Sequence, residues 1–269
     1  MSSNGKVILA GAGPGDPELI TVKALKYIKL ADVIITDRLV SNELFQWTRK
    51  DATVIQLGKQ RGNEASVSQD EINKSIVQYA QQGKLVLRLK GGDIAIYSHV
   101  LEELKVLVEH QIPFEIIPGV TAASGASAYS GIPLTARGYA SAVRFLAGYN
   151  SEEWSDATWK ELSETDDTLV FYMSAENTSH VVQKLLKQGM AEEKKLAIIE
   201  QATTPKQRVR IFSLNEFIAG IGPVSSPALV IIGKVVALHD QFKWFVNTVT
   251  PPGAYFPRAG EPVLKNPKA

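Results

Sequence analysis

The chain has 269 residues, 45% hydrophobic and 21% charged, with a formal net charge of +1 and no cysteine. That mixture suits one large or two modest globular domains. Near-neutrality removes any bulk electrostatic case for nucleic acid or an anionic membrane, and the missing cysteine removes disulfides, thiolate metal sites and thiol nucleophiles. No basic segment followed by an apolar core opens the sequence, and no apolar run reaches the roughly 20 residues of a membrane-spanning helix. The expectation is a soluble, cytoplasmic protein that binds neither membrane nor nucleic acid.

Residues 6–10 form a first short apolar run, followed by the turn Gly11-Ala12-Gly13-Pro14-Gly15-Asp16-Pro17. Leu19, Val22, Leu25 and Ile28 then recur at helical spacing and predict a helix over 19–30. A second strand is predicted at 33–36, ending at Asp37-Arg38, then a short helix over 42–49 and a third strand over 53–57, ending at Gly58-Lys59. Residues 60–67 read as polar loop. Ser68 and Glu71 have capping-box spacing for a helix carrying Ile72, Ile76 and Val77, stopped by Gly83. The next strand, 85–89, runs into Lys90-Gly91-Gly92-Asp93. A helix over 100–110 and a strand over 114–117 complete the alternation, which gives a parallel wound sheet whose turns gather at one edge.

Residues 121–130 are mostly small, with Thr121 as N-cap of a helix that backbone or a ligand can approach closely. From Ser141 the pattern changes. Strands are predicted at 143–147, 168–172, 195–200, 209–213 and 228–233, and helices at 178–188 and 214–221. An acidic connection over 151–167 holds one short helix. No helix separates 195–200 from 209–213, so this sheet is expected to be mixed. The expected division is an N-terminal α/β domain over 5–118, a C-terminal α/β domain over 119–246, and a tail over 247–269. Five prolines in the last twenty-one residues predict an extended or disordered tail.

The glycine turn invites a dinucleotide-binding reading, but its third glycine comes one residue early for G-x-G-x-x-G. Pro14 lacks an amide hydrogen, and Asp16 places negative charge where a diphosphate would sit. No Gly-Lys-Ser/Thr follows, which excludes a P-loop. The turn suits a ligand with little negative charge. Gly91 and Gly92 likewise leave backbone approachable, and Asp93 offers an acceptor where open α/β sheets place their ligand crevices. A plain strand, glycine turn and capping Asp is the competing account of that stretch.

Four patterns in order, Gly11-Ala-Gly-Pro-Gly-Asp-Pro17, Asp37-Arg-Leu-Val40, Leu89-Lys-Gly-Gly-Asp93 and Pro118-Gly-Val-Thr-Ala-Ala-Ser-Gly125, resemble those of the tetrapyrrole methyltransferases. Further matches carry the resemblance from about Lys6 to Phe245. It implies two α/β domains of the tetrapyrrole methylase type with the active site in the cleft between them, and a homodimer. It also implies S-adenosylmethionine as methyl donor, S-adenosylhomocysteine as product and no metal. The implied reaction is C-methylation of uroporphyrinogen III, through precorrin-1 to precorrin-2, toward sirohaem or cobalamin. Pro14, Gly91, Gly92, Asp93, Ile96, Thr121, Ala122, Met173 and Ala202 match the family's cofactor contacts, with Ala202 often a glycine there. Asp37 matches the assigned proton acceptor and Lys59 the assigned donor; a surface salt-bridge pair is the plainer reading of both. The substrate's rim of carboxylates directs attention to Arg38, Arg61, Arg137 and Arg144, each equally readable as a surface charge.

The chain departs from the family pattern after Asp93. Where Pro-Phe-Ile-Phe-Gly-Arg-Gly-Gly-Glu-Glu is usual, it has Ile94-Ala-Ile-Tyr-Ser-His-Val-Leu-Glu-Glu103. The lost glycines predict a stiffer, more helical loop, with Ser98 capping a helix that begins at His99. His99 replaces the usual Arg and meets a carboxylate only when protonated. Thr36 replaces a usual Tyr, Gln60 an Arg, and Ala136 and Gly138 a His and an Asp. The alternatives are a later corrin precursor or a non-tetrapyrrole substrate within the same fold, a nicotinamide-dependent oxidoreductase, and a non-catalytic cofactor-binding protein.

Overall fold

The structure, a computed structural model, describes residues 5–57, 68–220, 222–246 and 255–256. The expectations placed on Lys59, Arg61, the loop over 60–67 and most of the tail lie outside these residues. The chain divides into two compact units, Met1–Thr121 with Pro252–Ala269, and Ala122–Pro251.

The first unit is a parallel sheet of β1 (Lys6–Gly11), β2 (Val33–Thr36), β3 (Thr53–Gln56), β4 (Leu85–Lys90) and β5 (Phe114–Ile117), in the order β3-β2-β4-β1-β5. Its central strands are apolar at nearly every position because helices cover both faces. On one face Ile8, Ala10, Leu87 and Leu89 pack with Ala24 and Ile28 of α1 (Val22–Leu30). On the other, Val7, Leu9 and Val86 pack with Ile72 and Ile76 of α2 (Gln69–Gln81) and Leu107 of α3 (Val100–Glu109). The Ser68–Glu71 capping box starts α2: Ser68 Oγ accepts from Glu71 N at 3.2 Å and Glu71 Oε2 from Ser68 N at 2.8 Å. The predicted helix over 19–30 begins only at Val22. Pro17–Leu19 makes one 3-10 turn, and Thr21 then caps α1 by accepting from Ala24 N at 3.2 Å. Residues 42–47 are likewise a 3-10 segment.

The second unit holds β6 (Val143–Ala147), β7 (Thr168–Tyr172), β8 (Lys195–Glu200), β9 (Arg208–Ser213) and β10 (Ala228–Ile232), in the order β6-β7-β10-β8-β9. Only β6 and β7 run parallel; the other neighbours are antiparallel. Among the described residues it also holds the α-helices α4 (Ala122–Ser130), α5 (Asp156–Glu164), α6 (Thr178–Lys187), α7 (Leu214–Ile218) and α8 (His239–Phe242). Its core packs Phe171, Leu196 and Val230 of the sheet against Trp159 of α5, Leu185 of α6 and Phe217 of α7.

Candidate active site

In the first unit the register brings the carboxyl ends of β1, β2, β4 and β5 to one edge: Gly11 lies opposite Lys90, Thr36 opposite Leu89, and Ala10 opposite Ile117. Three backbones then cross without side chains between them. Gly13 N donates to Gly92 O at 3.1 Å and Gly92 N to Gly13 O at 2.7 Å. A Cβ on Gly11 would stand 2.6 Å from Gly92 O, and one on Gly119 only 2.4 Å from it. Asp93 ties the crossing together. Its Oδ2 accepts from Gly119 N at 2.8 Å and its Oδ1 from Ala95 N at 2.8 Å. Each oxygen keeps a second lone pair, so the carboxylate retains room for an ammonium or hydroxyl donor. Asp16, by contrast, is occupied by its own turn, accepting from Glu18 N at 2.8 Å. The chain leaves this turn in a 3-10 segment, so no α-helix begins directly after it to receive a diphosphate at its N-terminus.

Beside the crossing, Asp37, Arg38, Arg88, Lys90, Gly91 and His99 line a cavity of about 200 Å³. Asp37 follows β2 and its backbone N donates to Leu89 O at 3.1 Å, which fixes it against β4. Its Oδ1 is ion-paired with the Arg88 guanidinium. Arg88 in turn donates through Nε to Glu103 Oε1 at 2.9 Å, the same oxygen that Lys90 Nζ approaches at 2.9 Å. Burial works against the Arg88 charge, but the Asp37 and Glu103 carboxylates outweigh it and hold the guanidinium above its ordinary value. Burial pushes Arg38 below its ordinary value, and its Nε is enclosed without a hydrogen-bond partner among the described residues. Two predicted substrate residues, Arg38 and His99, and the predicted base Asp37 therefore share one cavity.

The loop after Asp93 corrects one expectation. Ser98 does not cap a helix at His99: its hydroxyl turns back to the Ile94 carbonyl, and α3 begins at Val100. His99 stands at the cap position with φ 55° and no capping hydrogen bond, and Tyr97 has φ 52°. Losing the glycines has not made the loop helical. Side-chain-bearing residues instead hold the left-handed backbone that glycine adopts freely.

In the second unit Phe171 and Ile198 lie opposite the same residue of β10, Val230, so the loops after β7 and β8 leave the sheet at one edge. Met173 and Ala202 sit in those loops. Met173 is exposed with φ 52°, and Ala202 lies between Gln201 and Thr203 at φ 46° and 65°. Ala122 begins α4, whose Ala123 N donates to the Tyr172 hydroxyl at 3.1 Å, so it belongs with this group. Thr121 ends the first unit. Arg137 is not with them. It lines a separate open groove of about 570 Å³ with Asp166 and Lys234, at the sheet edge opposite Met173. Arg144 is engaged by two carboxylates, Asp167 at 2.6 Å and Glu161. No helix among the described residues is long and apolar enough to cross a membrane, and no group of three or more His, Asp or Glu among them is arranged to hold a metal.

Residues 6–218 match the family described as Tetrapyrrole (Corrin/Porphyrin) Methylases. This chain is a tetrapyrrole methylase. The siroheme synthases of Saccharophagus degradans and Acinetobacter baylyi are 44% and 46% identical to it over 247 and 242 residues, 91% and 89% of this chain. Those stretches are 54% and 53% of the two relatives, so the chain spans about half the length of the curated relatives it matches. Among solved structures, the uroporphyrin-III C-methyl transferase of Thermus thermophilus, complexed with S-adenyl homocysteine, is 33% identical with a TM-score of 0.73. That match covers 86% of this chain and 93% of that one. A cobalt precorrin-4 methyltransferase is 26% identical with a TM-score of 0.74, covering 86% and 95%.

The sequence of this methylase did not single out Arg88, Lys90 and Glu103, the charged residues that the structure joins to Asp37. The available signal was two basic residues at alternate positions of an otherwise apolar central strand, which puts both on one buried face. Tyr255 was also missed, within the proline-rich tail. Its hydroxyl lies 3.0 Å from Ser41 Oγ and donates to Gly15 O at 3.1 Å, bracing the glycine turn, and burial pushes it up to about 12. Phe256 beside it is buried, so this part of the tail is packed.

Proposed function

We propose that this chain methylates uroporphyrinogen III at carbon, twice, with S-adenosylmethionine as donor, giving precorrin-2. The observation that carries the reading is the cavity at Asp37, where one carboxylate is set among Arg38, Arg88, Lys90 and His99. A polycarboxylate substrate needs cations around it, and the reaction needs one nearby proton acceptor. When bound, the donor supplies a sulfonium-held methyl group open to attack by a pyrrole carbon. The new carbon–carbon bond would form as the sulfur–methyl bond breaks, with S-adenosylhomocysteine as leaving group; the macrocycle is left with a positive charge, and a proton must then leave carbon. Asp37 is the residue to take it. Lys59, the matching donor, lies outside the described residues.

The residues assigned to the donor fit a nearly neutral ligand. Gly91 and Gly92 leave backbone accessible, Asp93 has spare acceptor capacity, and Pro14, Ile96 and Met173 supply apolar surface. Thr121, Ala122 and Ala202 complete the assignment, and Arg38, Arg61 and His99 are assigned to the substrate; Arg137, in its separate groove with Asp166 and Lys234, is left out of it. The family resemblance supports a homodimer working in the cytoplasm, which sedimentation and fractionation test.

The test is incubation with uroporphyrinogen III and labelled S-adenosylmethionine. Two methyl groups per macrocycle are expected, and Asp37→Ala is expected to lower the rate by about 100-fold or more while donor affinity is kept. No methyl incorporation by the wild-type chain removes the reading, and full activity in Asp37→Ala removes the assigned base.

A further inference from the structure

Beneath the candidate base lies a chain of buried charges with no part so far in the proton transfer. Arg88 and Glu103 are 1% and 0% exposed at their side chains, and Lys90 is buried with them. Apolar residues of similar volume serve stability under α2 and α3 at least as well as buried ions do. The charges are connected in sequence, Lys90 to Glu103, Glu103 to Arg88, Arg88 to Asp37; Arg88 and Lys90 touch the cavity as buried wall, and Asp37 is the member of the chain with a partly exposed side chain, at 29%. Arg88 is also held by its own strand region, donating to Leu89 O at 3.3 Å and to Ile35 O at 3.4 Å. Its planar fork therefore points at Glu103 and Asp37 from a fixed frame, which a lysine ammonium on a flexible stem does not reproduce.

We propose that Arg88, oriented by Glu103, is the positioning residue of the proton-abstraction step. It occupies Oδ1 of Asp37 and so turns Oδ2, which takes no hydrogen bond from the described residues, toward the carbon that loses its proton. The proton passes from that carbon to Oδ2, and the electron pair of the broken carbon–hydrogen bond neutralises the macrocycle. This inference rests on Asp37 being the base.

A double-mutant cycle tests it. Asp37→Asn, Arg88→Met and the double variant are compared for kcat and KM with uroporphyrinogen III, with S-adenosylmethionine affinity and thermal midpoint measured on each. Arg88→Met is expected to lower kcat by about 100-fold with donor affinity unchanged, the scale of a misplaced reacting group. The double variant is expected to be no slower than Asp37→Asn, because two residues acting as a unit do not lose rate independently. Losses that multiply, or an unchanged kcat in Arg88→Met, overturn the proposal. If Arg88→Met fails to fold, Arg88→Lys and Glu103→Gln carry the test. Each should melt near wild type and lose kcat without losing donor affinity, and wild-type kcat in both overturns the proposal. A wild-type chain that does not methylate uroporphyrinogen III removes the functional reading and this inference together, whereas a normal wild-type rate with multiplying losses removes this inference alone.

Discussion

Two neighbouring pieces of the same edge are built on opposite terms. At the crossing of Gly11, Gly92 and Gly119, backbone touches backbone, and a Cβ on Gly11 or Gly119 would collide with Gly92 O. A few residues later, the loop of Ile94 to His99 holds Tyr97 and His99 in left-handed conformations that cost a side-chain-bearing residue free energy. The crossing is relaxed and leaves no room for a side chain at Gly11 or Gly119. The loop is strained and carries exposed side chains, His99 lying 3.6 Å from the neighbouring Glu102. Strain of this kind persists where the surroundings over-determine it, and an observed outlier is a reason to look for function there. In the proposed reaction the crossing is assigned to the methyl donor, and the loop, where this chain departs from the usual family pattern, to the substrate.

The sharpest way to break that comparison is Gly119→Ala. Gly119 is not at positive φ, so alanine suits its backbone and any loss comes from contact alone. The new methyl would meet Gly92 O and the Gly11 backbone, neither of which is a flexible side-chain end that yields cheaply. A loss of roughly 3 kcal/mol in stability is expected, with at least a tenfold loss of S-adenosylmethionine affinity by calorimetry. Wild-type affinity in Gly119→Ala shows that the crossing is not the rigid half of the site.

The difference also marks how far the sequence could be read. Apolar periodicity placed every strand of both sheets, and the Ser68–Glu71 capping box placed the start of α2, because those signals are local. The parallel and mixed sheets follow from whether helices separate successive strands. The crossing was half legible: two of its glycines sit in recognisable turns, but their convergence on Gly119 is a matter of register between β4, β1 and β5. The network under Asp37 was hidden because Arg88 and Lys90 were absorbed into an apolar run, and their partner Glu103 lies on α3. Ser98 was misread because capping chemistry was weighed without the backbone, which at His99 turns left-handed before the helix starts.

A smaller effect tests the loop from the other side. His99→Gly relieves a left-handed conformation worth about 1–2 kcal/mol but gives the unfolded chain more freedom, so a net gain near 0.5 kcal/mol is expected. The exposed contact with Glu102 contributes little against this. Urea denaturation measures the stability, and the KM for uroporphyrinogen III should rise in the same variant if His99 meets a substrate carboxylate. A stabilised loop with a raised KM sharpens the comparison, since it shows strain maintained for binding. A destabilised loop shows that the conformation is not strained.

The smallest effect concerns the body of the sheet behind the crossing. Glu115 on β5 lies opposite Ile8 and takes hydrogen bonds from Lys6 at 2.7 Å and Tyr27 at 2.8 Å, with Lys23 also paired to it. Lys23 first, then Lys6 and Tyr27, hold its carboxyl at about 2 in place of its ordinary 4.5. A depressed carboxyl stabilises the folded state above the unfolded value, and that contribution is lost as pH falls from about 4.5 to 2. Glu115→Gln should therefore flatten the stability profile across that window, read by thermal melts at stepped pH. At neutral pH it should leave S-adenosylmethionine affinity unchanged, because the pair lies on the strand body and not at the edge. A slope that persists in Glu115→Gln assigns the acid sensitivity to another carboxylate. A loss of donor affinity at pH 7 breaks the comparison differently, by showing that the crossing depends on the far end of β5 and is not fixed by its glycines alone.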